Sequence, residues 1–187
     1  MARESPQASE KRAFVLVANT KLPSQRAQGL QVVHSAASFA RAGFASTLLV
    51  ARRRNVPTSP PDSELFDWYG VPAGARPEIL RAPCVDLIDG VPVKLQYLPA
   101  RMQELTFARN AARLVLERFA DALVLARELE VARHLVRAKK RDVLLEIHRV
   151  PGGKLRRRWL VEAAPRALGT IAISGGVRDD LVQLGLA

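Results

Sequence analysis

Six short apolar runs alternate with helical patterns along the chain. Rich in Val, Leu and Ile, the runs lie at Phe14–Ala18, Ser46–Ala51, Glu78–Leu80, Ala122–Ala126, Asp142–Ile147 and Thr170–Ile173. Continuous apolar runs of this kind are typical of parallel strands that are covered on both faces. The pattern therefore predicts an α/β fold, with a doubly wound, mostly parallel Rossmann-like sheet and helices on both faces.

The segments between the runs carry the spacing of amphipathic helices, with one interruption. A helix is predicted from Leu30 to Gly43 and another at roughly Ala100–Arg118. Between them, residues 52–99 hold most of the prolines, so only a short helix near Ser63–Tyr69 is expected there. The polar residues 1–12 are predicted to be a mobile tail, and residues 13–187 one Rossmann-like domain.

Composition narrows the class of protein without identifying it. The single cysteine, Cys84, excludes a disulfide within the chain and a cysteine-based metal site, and it fits a reducing compartment. No apolar run approaches the roughly 18 residues of a membrane span, and the N-terminus lacks an apolar signal-peptide core. A cytoplasmic location is therefore predicted.

The charge of the chain points to anionic partners. The formal net charge is +11 and the sequence pI about 10.9, which favours nucleic acid, anionic lipid or phosphorylated ligands without choosing among them. Aromatic residues make up only 5% of the chain, and no helix-turn-helix or zinc-finger pattern occurs. A non-catalytic basic module that binds nucleic acid or another polyanion stays open as an alternative, although nucleic acid is disfavoured.

In a doubly wound sheet, ligands bind beyond the carboxyl ends of the strands. The loop after the first run, Asn19–Gly29, has one glycine and does not match the GxGxxG pattern of dinucleotide sites. The acidic residue expected after the second run is replaced by Arg52–Arg54, and no Walker-type loop occurs. No dinucleotide cofactor is therefore expected. Gly29 either brings an anion close to a helix N-terminus or simply begins the helix.

The histidines differ in their value as site candidates. His148 ends the fifth strand, where this fold places its ligands, and Glu146 beside it is a carboxylate in an apolar strand that needs a partner. His34 is interpreted as a packing residue and His134 as a solvated one. No second histidine or cysteine lies at metal-ligand spacing, so no metal is expected. Ser174 precedes a helix and is a natural N-cap.

Several segments together resemble a known family. The segments "VANTKLPSQRAQGLQVVHSAASFARAGF", "FDWYGVP", "DALVLARE", "LLEIHRVP" and "TIAISGGVRDDLVQLG" occur in this order. They resemble the N-terminal domain of GT-B fold glycosyltransferases of the retaining family 4 type, from about residue 14 to residue 187. The resemblance implies a Rossmann-like half that binds an acceptor and faces a nucleotide-activated sugar across a cleft, without a cofactor or a metal.

The resemblance also implies roles for individual residues. His148 matches the histidine that contacts the transferred sugar, and Arg127 the basic residue after the fourth strand. Gly29 matches the loop glycine near the donor phosphates or acceptor, while Ser174 and Arg178 match a serine and basic-residue pair. We add Asn19 and Glu146, which lie at strand ends, to the expected binding residues.

Members of this family continue into a second Rossmann-like domain that neutralises the leaving diphosphate, which supplies much of the catalysis. The chain alone is therefore expected to be inactive, with the second domain supplied in cis or by another chain. Loop Asn19–Gly29 is expected to be mobile without that domain. Basic residues suggest peripheral contact with an anionic membrane, through Arg101, Arg109, Arg113 and the run Lys154–Arg158.

Overall fold

The structure is a computed structural model, and it describes residues 11–53 and 60–186. Its six strands are β1 Ala13–Ala18, β2 Ala45–Arg52, β3 Glu78–Pro83, β4 Leu123–Ala126, β5 Val143–Ile147 and β6 Gly169–Ala172. They form one sheet in the order β3-β2-β1-β4-β5-β6, in which every neighbouring pair is parallel. The predicted Rossmann-like fold is confirmed, and each predicted strand overlaps an observed one.

The helices that connect the strands lie on both faces of the sheet. They are α1 Ala27–Arg41, α2 Leu65–Trp68, α3 Tyr97–Arg118, α4 Leu129–Arg137, α5 Lys154–Ala163 and α6 Gly175–Gln183. The predicted start at Leu30 is too late, because the first two residues of α1, Ala27 and Gln28, are exposed and do not contribute to its apolar face. Helix α3 begins before the predicted Ala100 because Pro99 lies in its first turn, where a missing N–H breaks no helical hydrogen bond.

Alternating side chains of β1 divide the core into two layers. Phe14 and Leu16 point to the layer that holds α1, where the Phe14 ring stacks on Phe39 with centroids 3.6 Å apart. Val15 and Val17 point to the other layer, which is filled by α3 and α4. The central strand is thus buried on both faces, as its continuous apolar run predicts.

The strand order reverses between β1 and β4, and this reversal defines the crevice of the fold. The chain leaves β1 toward α1 on one face and leaves β4 toward α4 on the other. The two strand ends remain adjacent, because the Arg127 backbone N–H donates to the carbonyl of Val17 at 3.1 Å. The residues after β1, β4 and β5 therefore meet at one edge of the sheet.

Some residues named in the sequence predictions are not among those that the structure describes. Most of the predicted mobile tail, residues 1–10, lies outside the described residues, as do Arg54, Asn55 and Ala187. Within the described ranges, no helix combines the length and the apolar character that crossing a membrane requires.

The two faces of α3 should differ sharply in their tolerance of truncation. Phe107 is fully buried, so Phe107→Ala should lower the free energy of unfolding by about 3–5 kcal/mol through lost burial and a cavity. Leu105 on the same helix is 43% exposed, so Leu105→Ala should cost less than about 1 kcal/mol. Urea unfolding followed by circular dichroism measures both, and equal losses would contradict the described orientation of α3.

Candidate functional site

Arg127 is the centre of a polar cluster at the carboxyl edge of the sheet. It follows β4, and its side chain is only 5% exposed. Its Nε lies 2.9 Å from Glu146 Oε1, and its Nη2 lies 2.7 Å from His148 Nε2. Nη2 also donates to Gln31 Oε1 of α1 at 3.1 Å. The cluster therefore joins β4, β5 and α1 across the switch in strand order.

Glu146 owes its position to the alternation of β5. Val143, Leu145 and Ile147 of this strand are buried in the layer of α3 and α4, so Glu146 points to the opposite face. A carboxylate there needs a partner, and Arg127 supplies one. The expectation that Glu146 is paired is confirmed, and its partners are the side chains of Arg127 and His148.

His148 has one ring nitrogen in the cluster and one outside it. Nε2 lies within hydrogen-bond distance of both Arg127 Nη2 and Glu146 Oε1. A single nitrogen cannot accept from the guanidinium and donate to the carboxylate at once. No hydrogen bond within the described part of the chain involves Nδ1, and the side chain is 38% exposed. Nδ1 is therefore the atom that His148 can offer to a ligand.

A second network holds the start of the loop after β1. The side-chain amides of Asn19 and Gln103 pair reciprocally at 3.0 and 2.8 Å, and Gln103 is buried in α3. The Asn19 backbone N–H donates to Glu128 Oε1 at 3.0 Å. Asn19 therefore lies at the crevice, as expected, but its amide is occupied by Gln103.

Glu128 is a second carboxyl group at the crevice, and burial raises its pKa. The Asn19 N–H and the Arg127 guanidinium act in the opposite direction, whereas the carboxylates of Glu130 and Glu104 raise the pKa further. The residue directly precedes α4, where partial positive charge favours an anion. Desolvation nevertheless dominates, so the charged form of Glu128 is held at a cost.

The loop from Asn19 to Gly29 is anchored, which differs from the mobile loop that the sequence predicts. Leu22 is fully buried in the layer of α1. The Tyr69 hydroxyl accepts from the Ser24 N–H at 2.8 Å and donates to the Ser24 carbonyl at 2.9 Å. The two hydrogen bonds between Tyr69 and Ser24 have no local sequence signal, because the residues lie 45 positions apart along the chain.

Gly29 is explained by this anchor. A Cβ at this position would lie 2.8 Å from the Tyr69 hydroxyl and 3.1 Å from the Ser24 carbonyl oxygen. The residue is buried in the first turn of α1. The close approach that only glycine allows is thus made by the protein's own tyrosine, and a ligand contact at Gly29 remains a prediction.

A cleft of about 820 Å³ opens beside the loop. Its wall includes Asn19, Lys21, Arg26, Arg53, Trp68 and Gln96. Arg53 Nη2 lies 3.2 Å from Asp86 Oδ1, so part of the basic run after β2 forms a structural ion pair. The cleft is nevertheless lined by more basic than acidic side chains, which suits an anionic or hydroxyl-rich ligand.

Ser174 and Arg178 make their contacts within α6. The Ser174 hydroxyl accepts from the Val177 N–H at 3.3 Å, which confirms the predicted N-cap. Arg178 pairs with its neighbour Asp179 at 3.1 Å and borders a separate hollow of about 350 Å³ beside β6. Side-chain contacts join Arg127, Glu146 and His148, whereas no described hydrogen bond or ion pair links the side chain of Ser174 or Arg178 to them.

The remaining histidines behave as the sequence predicts. His34 Nε2 lies 3.0 Å from the Tyr69 carbonyl oxygen, so it is a hydrogen-bonded packing residue. His134 is exposed on α4, where partial desolvation and the nearby Arg133 and Arg137 lower its pKa. Within residues 11–53 and 60–186, no group of three or more His, Cys, Asp or Glu side chains could hold a metal ion.

Three residues of the site escape sequence reasoning. Gln31, Gln103 and Tyr69 lie on helices or next to them, and their sequence contexts resemble those of ordinary surface or packing residues. Glu128 did carry a signal, since it is the second residue after the predicted fourth strand. Comparisons of the chain with protein-family models, curated proteins and solved structures found no match.

The contact between Gly29 and Tyr69 gives a double-mutant test. Gly29→Ala should destabilise the fold by about 1–3 kcal/mol, because the new methyl group meets the tyrosine hydroxyl. In a Tyr69→Phe background the hydroxyl is absent, so the same substitution should cost measurably less. Gly74→Ala, where no atom lies within 4 Å of the added carbon, is the matched control. Equal costs of Gly29→Ala in both backgrounds would rule out the hydroxyl as the obstacle.

Glu128 gives a test of pH dependence. A carboxyl whose pKa is raised by folding binds more protons in the folded state, so its contribution to stability falls as pH rises from the unfolded pKa through the folded pKa. Glu128→Gln keeps an acceptor for Asn19 and removes the buried charge. We expect this variant to be more stable than the parent at neutral pH, with a difference that shrinks toward acid pH in urea unfolding.

Glu162 serves as the control of opposite sign. The hydrogen bond from Arg133 lowers its pKa, so its contribution is present above the ordinary carboxyl pKa and is lost as pH falls through the folded pKa. Glu162→Gln should therefore be less stable than the parent at neutral pH and approach it in acid. A Glu128→Gln variant that follows the same course as Glu162→Gln would contradict the assigned desolvation of Glu128.

Proposed function

We propose that the chain is the acceptor-side half of a glycosyltransferase, which transfers a sugar from a nucleotide-activated donor to an acceptor. The observation that carries the proposal is the cluster of Arg127, Glu146 and His148 beside the crevice. Arg127 and His148 match the family pattern in type, and all three residues meet where a doubly wound sheet binds its ligands. The cytoplasmic location and the lack of a metal or cofactor requirement belong to the same proposal.

The geometry suits the recognition of a hydroxyl-rich substrate. Arg127 is buried and held on two sides, so it fixes the orientation of His148. The His148 side chain is 38% exposed, and its Nδ1 makes no hydrogen bond within the described residues. In addition, Arg127 Nη1 is buried without a hydrogen-bond partner among the described residues. A buried donor without a partner is costly, and a ligand oxygen or a bound water at the crevice would satisfy it.

In this proposal the chain supplies positioning, and a second Rossmann-like domain supplies the donor site. Departure of a nucleoside diphosphate requires positive charge at the leaving phosphate, which the resemblance assigns to that second domain. In the acceptor-side half, which is this chain, His148 contacts the transferred sugar, and the cleft beside Asn19 receives the acceptor. Without that second domain, residues 1–187 are expected to show no transfer. The second domain would be supplied either in cis or by another chain.

The alternative is a non-catalytic module that binds nucleic acid or another polyanion. The exposed side chains of Lys154, Arg157 and Arg158 on α5 favour this reading. Binding through phosphate contacts falls steeply with salt concentration. Failure to bind single-stranded and duplex oligonucleotides at low salt would remove the nucleic-acid form of the alternative.

The role of His148 is testable once the second domain is present. In a protein that joins this chain to a donor-binding domain, a panel of nucleotide sugars is scanned for turnover, and then His148→Ala is measured. Loss of one hydrogen bond to the transferred sugar should lower kcat/KM by about tenfold to a hundredfold. His134→Ala, an exposed histidine outside the cluster, should leave the rate unchanged. Unchanged turnover in His148→Ala would eliminate the assigned role.

A further inference from the structure

The described residues expose an unusual run of large apolar side chains before and within the start of α3. We call the run the α3 surface, and it comprises Val93, Leu95, Tyr97, Leu98, Met102 and Leu105. Val93 is 82% exposed and Tyr97 77%, which is more than any other large apolar residue described. Single exposed apolar residues are ordinary, but a contiguous exposed set indicates an interaction site.

The helix itself explains why these residues face outward. Gln103, Phe107, Ala108 and Ala111 form the inner face of α3 against the sheet. Leu98, Met102 and Leu105 follow at the i, i+4, i+7 spacing of a second stripe on the outer face. Helix α3 is thus apolar on two sides, and only the inner side is covered within the described residues.

The charges near the α3 surface favour an anionic partner. Its acidic neighbours are paired within the protein: Asp89 with Lys21, and Glu104 with Arg101. Lys94, between Val93 and Leu95, and Arg109, one turn beyond Leu105, are exposed, and neither makes an ion pair within the described ranges. The surface therefore presents unneutralised positive charge next to its apolar side chains.

Helix α5 adds further cations at the same edge of the molecule. Arg101 Nη1 of α3 lies 3.6 Å from Glu130 Oε1, and Arg156 Nη2 of α5 donates to Glu130 Oε2 at 3.1 Å. Glu130 lies on α4, so its carboxylate links the first turns of α3 and α5 across that helix. The first turns of α5 expose Lys154, Leu155, Arg157 and Arg158, so cations flank the apolar side chains from both helices.

We propose that the α3 surface and the basic start of α5 dock on an anionic lipid bilayer. A dry protein interface over Val93–Leu95 would have to supply an acidic partner for the buried Lys94 ammonium, because an unpaired buried charge is costly. At a bilayer surface, the aliphatic stem of Lys94 lies among the acyl chains while its ammonium reaches a lipid phosphate. Tyr97 suits the same boundary, because its ring is apolar and its hydroxyl is polar.

The sequence predicts membrane contact through basic residues alone, whereas the proposed contact depends mainly on the apolar side chains of the α3 surface. Arg101 is engaged with Glu104 and Glu130, and Arg113 with Glu117, so these arginines are partly neutralised. Apolar insertion by the α3 surface replaces them as the main source of affinity. The inference is independent of sugar transfer, since it concerns a surface outside the cluster around Arg127.

Vesicle sedimentation tests the proposal on the full chain. Vesicles of phosphatidylcholine alone are compared with vesicles of equal parts phosphatidylcholine and phosphatidylglycerol, and binding is expected only to the latter at low salt. Substituting Leu95→Ser and Leu98→Ser together should weaken binding by at least about tenfold, since each leucine loses its apolar burial. Lys94→Glu should weaken it by at least about fivefold.

Matched controls separate lipid docking from general charge and from misfolding. Leu168→Ser removes a similarly exposed leucine outside the α3 surface, and Arg141→Glu reverses an exposed charge at the opposite edge of the sheet. Both controls should bind almost as the parent does, and circular dichroism should show all variants folded. Equal binding to both vesicle types, no binding to either, or equal losses in controls and test variants would each overturn the proposal. Such a result would leave the His148 test unaffected, because that test follows the transfer of sugar.

Discussion

The ion pair between Arg127 and Glu146 is the interaction on which the candidate site depends. A guanidinium with 5% exposure is stable only when its charge is compensated. The compensation comes from the next strand of the sheet, so the pair exists only when β4 and β5 are in register. Once fixed, Arg127 reaches Gln31 on one side and His148 on the other. One buried cation thus couples a helix and two strands at the switch in strand order.

The loop after β1 is held by a different set of contacts, and together they make the crevice a formed site. Glu128 and Gln103 fix the start of the loop at Asn19, and the Tyr69 hydroxyl fixes its middle at Ser24. Side chains held in this way bind ligands with little loss of conformational entropy. The charged form of Glu128 is desolvated and therefore destabilises the folded arrangement of the loop. Packing and hydrogen bonds stabilise the site against this one unfavourable carboxylate.

The candidate site and the α3 surface share one side of the molecule. Both α3 and α5 begin at the carboxyl edge of the parallel sheet, where His148 and Asn19 also lie. A bilayer that contacts the first turns of these helices would therefore lie near the cleft of about 820 Å³. Under the proposed function and the proposed lipid docking, this arrangement would suit an acceptor that is itself held at a membrane, because the acceptor would enter the cleft without leaving the lipid surface.

Local pattern was sufficient for the strands, the α/β class, the Ser174 cap and the hydrogen-bonded His34, because each follows from spacing along the chain. The pattern also placed Glu146, His148 and Arg127 at strand ends. It could not name Gln31, Gln103 or Tyr69, because their partners lie 45 to 96 residues away and only folding brings them together. Nor could it explain Gly29, whose missing side chain makes room for the Tyr69 hydroxyl. The strand elements were thus determined by the sequence itself, whereas the contacts that arrange the site were decided by tertiary packing, since they depend on distance in space.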